Sequence, residues 1–153
     1  MPVSMTDVRR ALDPDEVDYP AAAADLGDEA LPHLRTLVET GDPGIAAKAA
    51  YLAGLINGGP SESIVALAAS HADARVRASA ASAASHLDDP ATERVLEDLV
   101  LDDDAGVQKL ALNSVPAQPS QTMRSQVQRV SQSAPHPLLR QKASDVLANS
   151  PDP

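Results

Sequence analysis

Apolar positions recur along this chain with a period close to 31 residues. Leu34, Val65, Leu96 and Val127 stand 31 apart, and Leu37, Ala68, Leu99 and Val130 follow each of them three positions later. A second pair of columns lies downstream. Ile45, Val76, Val107 and Leu139 are offset by 31, 31 and 32 residues, with Ala49, Ala80, Ala111 and Ala143 four positions behind. Spacings of three and four put side chains on one face of an α-helix. Each period therefore predicts two helices: 28–40 and 43–57, 61–70 and 74–87, 90–101 and 105–115, 120–133 and 137–149. Turns this short make the two members of a pair antiparallel. A fixed period of this length marks stacked units, none of which can cover its apolar face alone.

Turn residues agree with the pattern. Asp42-Pro43 and Asp89-Pro90 each set an N-capping acid before a proline of the first turn, where no helical hydrogen bond is lost. Gly41, Gly58 and Gly59 are predicted helix stops. Pro60, Pro116, Pro119, Pro135 and Pro137 fall between helices or at their starts. The first 27 residues read as a degenerate unit, with short helices over Thr6–Leu12 and Asp15–Leu26 separated by Asp13-Pro14. Tyr19 and Pro20 belong to it, and terminal units are expected to be atypical because one face meets water. The reading is one domain over 1–153, with repeats at 28–58, 59–88, 89–118 and 119–149 and a loose tail from Asn149 to Pro153.

Composition sharpens the fold class. The chain has 28 alanines, no Phe, no Trp, and only Tyr19 and Tyr51 as aromatics. Alanine has the best helix propensity, so an all-α protein with closely approaching helices is expected. Twenty-two acidic residues oppose 12 basic ones, a formal charge of −10, and only three of the bases are lysines. A field of that sign repels phosphate backbones, which excludes nucleic acid as the expected partner. No run of 18 apolar residues is present, and the first residues carry no apolar stretch of the secretory kind, so no membrane span and a cytoplasmic location are expected. There is no cysteine, hence no disulfide and no thiol chemistry.

Asp73, Val76, Arg77 and Ala80 spell Asp-x-x-Val-Arg-x-x-Ala. This resembles the second helix of a HEAT repeat, and more narrowly the short bacterial and archaeal HEAT-like repeats of phycobilisome lyases. The likeness spans about residues 28–149. It implies a right-handed α-solenoid of antiparallel helix pairs, with about four HEAT-like repeats behind the degenerate first unit. It also implies an aspartate–arginine ladder between adjacent repeats. Here that ladder would use Asp42, Asp73, Arg77, Asp104 and Arg140, with Arg77 reaching toward Asp42 or Asp73 and Arg140 toward Asp104. Ala46 and Gln108 stand in place of the arginine, and His136 in place of the aspartate, so the ladder is expected to be incomplete.

Stacked units leave one concave face, lined by their second helices. At about 100° per residue, the positions opposite the core arc lie five, nine and twelve residues after each aspartate. The ninth column reads Tyr51, Ser82, Asn113 and Asp145, and the fifth reads Ala47, Ala78, Lys109 and Gln141, beside Lys48, Ser79, Lys142 and Arg75. The predicted partner-binding set is Tyr51, Lys48, Arg75, Ser82, Lys109, Asn113, Lys142 and Asp145. Tyr51 leads it, because a broad apolar ring with a polar tip suits an interface. The expected function is a non-enzymatic protein–protein interaction module or adaptor that holds a partner protein or peptide on this face. The alternative is a HEAT-like enzyme or enzyme subunit of the bilin lyase type, an analogy from fold alone.

No motif predicts catalysis, a metal or a cofactor. His33, His71, His86 and His136 are scattered over different units with no His-x-x-x-His spacing. The His-Glu pairs that a HEAT-like hydroxylase uses as iron ligands do not occur. Asp88-Asp89 and Asp102-Asp103-Asp104 sit in turns, where capping explains them, and no calcium loop of the Asp-x-Asp-x-Asp-Gly kind is present. Gly58-Gly59-Pro60 lacks the Lys-Ser or Lys-Thr of a phosphate loop, and no serine lies in a Gly-x-Ser-x-Gly turn.

Overall fold

The computed structural model describes residues 2–150, so most of the predicted tail lies outside the described residues. Among the described residues there are ten α-helices, one 3-10 turn and no strand. α1 (Met5–Leu12) and α2 (Tyr19–Leu26) come first, and the 3-10 turn Gly27–Ala30 leads into α3 (Leu31–Thr40). Then follow α4 (Pro43–Ile56), α5 (Ser61–Ala69), α6 (Ala74–Ala84), α7 (Asp89–Leu99), α8 (Ala105–Ser114), α9 (Gln121–Ser133) and α10 (Pro137–Ala148). No helix is long and apolar enough to cross a membrane.

Side chains that take up orphan amides define where these helices begin. Ser4, Asp18, Asp42, Asp73, Asp88, Asp104, Ser120 and His136 each accept a backbone N–H of the first turn. Two starts differ from expectation for this reason. Asp88, not Asp89, caps α7: its Oδ1 accepts the Ala91 N–H at 3.0 Å, which moves Pro90 to the second helical position. Asp18 caps α2 through the Ala21 N–H at 3.1 Å, so that helix starts at Tyr19 rather than Asp15. One stop differs as well. α4 ends on Asn57 in the left-handed region (φ 51°, ψ 42°), which asparagine tolerates, and not on Gly58 or Gly59.

Packing follows the period. α3 lies against α4, α5 against α6, α7 against α8 and α9 against α10. The first helices also touch in succession (α3, α5, α7, α9), as do the second helices (α4, α6, α8, α10). α1 and α2 close the N-terminal end, α1 on α3 and α4, α2 on α4. The predicted columns are the core: Leu34, Val65, Leu96 and Val127 are each 0% exposed. Ala49, Ala80, Ala111 and Ala143 are buried to the same degree. Ile45 departs from its column and is only half-buried at the first turn of α4.

The second helices approach very closely. A Cβ built on Gly54 of α4 would lie 2.8 Å from the Ala83 carbonyl oxygen and 2.9 Å from the Ala83 Cβ of α6. The position twelve residues after Asp42, expected on the open face, is thus a buried contact between units. Two hydroxyls cross the same row: Ser79 donates to the Ala47 carbonyl, and Ser114 donates to the Ala81 carbonyl at 2.7 Å. At the other end, Ser150 is not loose as expected. It is buried, donates to the Val146 carbonyl at 2.7 Å, and its own carbonyl accepts from Arg124.

In an exposed helix, glycine to alanine stabilises by roughly 1 kcal/mol. At Gly54 the sign reverses, because the added carbon meets backbone that cannot move without separating α4 from α6. Gly54→Ala is expected to lower unfolding stability by about 1–3 kcal/mol, read from urea denaturation. A stabilised variant would show that the two helices are not held at this distance.

Candidate functional site

An open groove of about 420 Å³ runs along α4 and α6. Tyr19, Lys48, Tyr51, Arg75, Ser79 and Ser82 line it, over a floor of Ala47, Ala78 and Leu110. Four members of the predicted set therefore meet in one depression. The other four lie further along the second helices. Lys109 and Lys142 flank a cleft of about 300 Å³ between α8 and α10, with Ala105, Gly106, His136, Leu138 and Leu139. Asn113 and Asp145 border a third depression of about 320 Å³, which Lys142 also reaches.

Tyr51 is the centre of an aromatic cluster that only the tertiary structure assembles. Tyr19 meets it edge-on, ring centroids 4.7 Å apart. His86 meets it from the other side at 5.4 Å and 89°, and the Tyr51 hydroxyl is 3.1 Å from His86 Nε2. Tyr19 and Tyr51 are both half-buried. Burial, together with the neighbouring Tyr51 phenol, raises the pKa of Tyr19 above the ordinary tyrosine value. Sequence reasoning assigned Tyr19 to the terminal unit and counted His86 among the scattered histidines, and missed that both converge on Tyr51. The missing signal was long-range, since 32 and 35 residues separate them from Tyr51.

The cations of this groove are not free arms. Lys48 donates to the carbonyls of Leu12 (3.0 Å) and Pro14 (2.8 Å), which ties α4 to the terminal unit. Arg75 forms a two-point pair with Asp73 at 3.1 and 3.0 Å. Those hydrogen bonds hold the Asp73 carboxyl below the usual aspartate range. Ser82 lines the groove at a half-buried position, and Ser79 is engaged with α4.

The expected aspartate–arginine ladder is replaced by a different arrangement. Asp42, Asp73 and Asp104 cap their own helices. Arg77 reaches forward, not back: Nε and Nη2 bind Asp102 of the next unit at 2.9 and 3.2 Å, and Nη1 takes the carbonyls of His71 and Ala72. Arg140 does not run to Asp104 as expected; its Nη1 takes the Ala134 and Pro135 carbonyls. Gln108, in the same column, donates to the Val100 carbonyl at 3.0 Å. The shared task of Arg77, Gln108 and Arg140 is thus to satisfy carbonyls at the end of the preceding helix, two for each arginine and one for the glutamine. Between units, Arg94 also pairs with Glu62 across α7 and α5 at 2.6 and 3.0 Å.

The remaining histidines are likewise engaged. His71 Nδ1 accepts the Asp73 N–H at 3.0 Å, His136 Nδ1 accepts the Leu138 N–H at 3.3 Å, and His33 Nε2 is 2.9 Å from the Val3 carbonyl. Among the described residues no three His, Asp or Glu side chains form a group that could hold a metal ion. Compared with known proteins, the chain matches no family model and no curated sequence.

Asp102 illustrates how burial and pairing compete. Burial pushes its carboxyl up, but the Arg77 hydrogen bonds and charge and the Asp104 amide outweigh this and hold it below the ordinary range. Its contribution to stability is therefore complete above the unfolded value of about 3.9, and is lost as pH falls through the lower folded value. Asp102→Asn is expected to cost about 1.5–3 kcal/mol at neutral pH. The difference from wild type should shrink as pH falls below the ordinary aspartate range, measured by urea unfolding at neutral and at acid pH. An acid-independent difference would mean that the charge of Asp102 is not what matters.

Proposed function

We propose that this chain is a non-enzymatic interaction module or adaptor. Its helix pairs stack as a right-handed α-solenoid of HEAT-like repeats, and it binds a partner protein or peptide on a concave face formed by α4, α6, α8 and α10. The observation that carries this reading is the succession of three depressions along one row of helices, with all three lysines of the chain and both tyrosines among their lining residues. Repeated units that each contribute one helix to such a row make an extended binding surface. The chemistry of the face is that of contact rather than reaction. Lys48, Ser79 and Arg75 hold backbone or neighbouring carboxylates, and Tyr51 offers a half-buried ring with its hydroxyl tied to His86. The net charge of −10 directs the module toward protein and away from nucleic acid.

The test is recovery of partners from the native host with the full chain as bait. Tyr51→Ala with Arg75→Glu should lose the partners that wild type retains, while Tyr51→Phe keeps the ring and should keep most of the binding. Circular dichroism of each variant separates loss of contact from loss of fold. Equal recovery by folded wild type and double variant would overturn the reading.

A further inference from the structure

We infer that the cleft between the first turns of α8 and α10 is an anchor site for an acidic peptide segment bearing one aliphatic side chain. This rests on the interaction-module reading above and names the chemistry of its partner.

Three independent observations meet at this cleft. The first is apolar exposure. Leu138 is 73% exposed, the one large hydrophobic so exposed among the described residues, and it stands over a lining of Ala105, Gly106 and the buried Leu139. An exposed leucine beside a cleft of about 300 Å³ offers an aliphatic partner side chain both a floor and a wall. The second is unpaired positive charge. Lys48, Arg75, Arg77 and Arg94 are all held by carbonyls or carboxylates, but among the described residues no hydrogen bond or ion pair engages the ammonium groups of Lys109 and Lys142. Two of the three lysines in a chain of charge −10 thus border one apolar cleft whose own lining carries no carboxylate.

The third is a change in the cap column. Asp42, Asp73 and Asp104 put a carboxylate at the positive end of α4, α6 and α8, whereas α10 has His136. The imidazole accepts the Leu138 amide through Nδ1 but brings no negative charge to that helix end. Asp104 at the α8 start caps the Val107 amide at 3.0 Å, and Asp145, further along α10, accepts from Gln141 at 2.9 Å; both keep their charge, but neither lines the cleft. The linings of the three depressions hold Lys48, Arg75, Lys109 and Lys142 and one carboxylate, Asp145; Arg75 is paired with Asp73 and Lys48 is tied to carbonyls, which leaves Lys109 and Lys142 as the cations available to a partner. A segment carrying carboxylates on either side of one aliphatic residue would match this order of charge and apolar surface, and acidic partners would otherwise be repelled by the rest of the molecule.

The experiment is selection of a displayed library of random nonapeptides on the full chain at low ionic strength, followed by fluorescence anisotropy on the enriched peptides. The expected consensus is Asp or Glu flanking Leu, Ile or Met. Lys109→Glu, at an exposed position, with Lys142→Glu, at a half-buried one, should weaken the selected peptide by at least about tenfold and switch the library consensus to basic residues, with circular dichroism confirming the fold. Leu138→Ser should weaken it without switching the charge preference, and binding to wild type should fall as salt rises. A neutral or basic consensus on wild type, retention of the acidic one by the Glu variants, self-association of the chain through this cleft, or no enrichment would each overturn the inference. Its failure is distinguishable from that of the broader reading: a neutral consensus lost on Tyr51→Ala would leave the binding face standing and remove only the acidic partner.

Discussion

Close approach of the second helices is the constraint on which the rest of the structure depends. α4 and α6 come so near that Gly54 has room for no side chain over Ala83, and the backbone of one helix is within reach of a serine hydroxyl from the next. Only small residues permit this, and the buried faces of these helices supply them: Ala46, Ala49, Ala50 and Ala53 on α4, and Ala80, Ala81, Ala83 and Ala84 on α6. The larger aliphatics sit mainly on the first helices, at Leu31, Leu34 and Leu37, Ile64 and Val65, Val95, Leu96 and Leu99. Burial of apolar area is therefore uneven between the rows. The first row contributes bulk, and the second contributes proximity, where each small contact is weak alone and numerous together.

That proximity decides the character of the proposed binding face. Helices packed on alanine leave little side-chain bulk between them, so their outward residues stand side by side and form shallow depressions. The N-terminal and C-terminal halves of this face differ because α2 covers only one of them. Tyr19 brings its ring onto Tyr51, and Lys48 is held by the carbonyls of Leu12 and Pro14. Toward α8 and α10 no comparable unit closes the row among the described residues, so Lys109, Asn113 and Asp145 are exposed. The face thus runs from an aromatic, hydrogen-bonded end to an open, lysine-bordered one.

Turn chemistry carries a second layer of order. His71 and Asp102 occupy equivalent places two residues before a capping aspartate, and each accepts that aspartate's backbone amide. A histidine and an aspartate thereby do the same local work. Asp102 does more, because its second set of lone pairs receives Arg77 from the unit before. The arginine column is tolerant for a related reason: where the column carries a donor, that donor serves helix-end carbonyls, and Gln108 does so without a charge, while Ala46 at the first unit supplies none.

Residue order alone determined the helical content, the period and the buried columns. Those features come from spacings of three, four and about 31, and spacing is a local property of a helix surface. It also located Lys48, Tyr51, Arg75 and Ser82 on one face, because they lie on the non-core side of two helices in the same register. The direction of Arg77, the tethering of Lys48, the burial of Gly54 and the Tyr19–Tyr51–His86 cluster were decided only in three dimensions. Each depends on the distance and rotation between units, and a periodic sequence leaves both open: the same columns are buried whichever neighbour an arginine reaches. Side chains that answer to their own helix were legible, and side chains that answer to the adjacent unit were not.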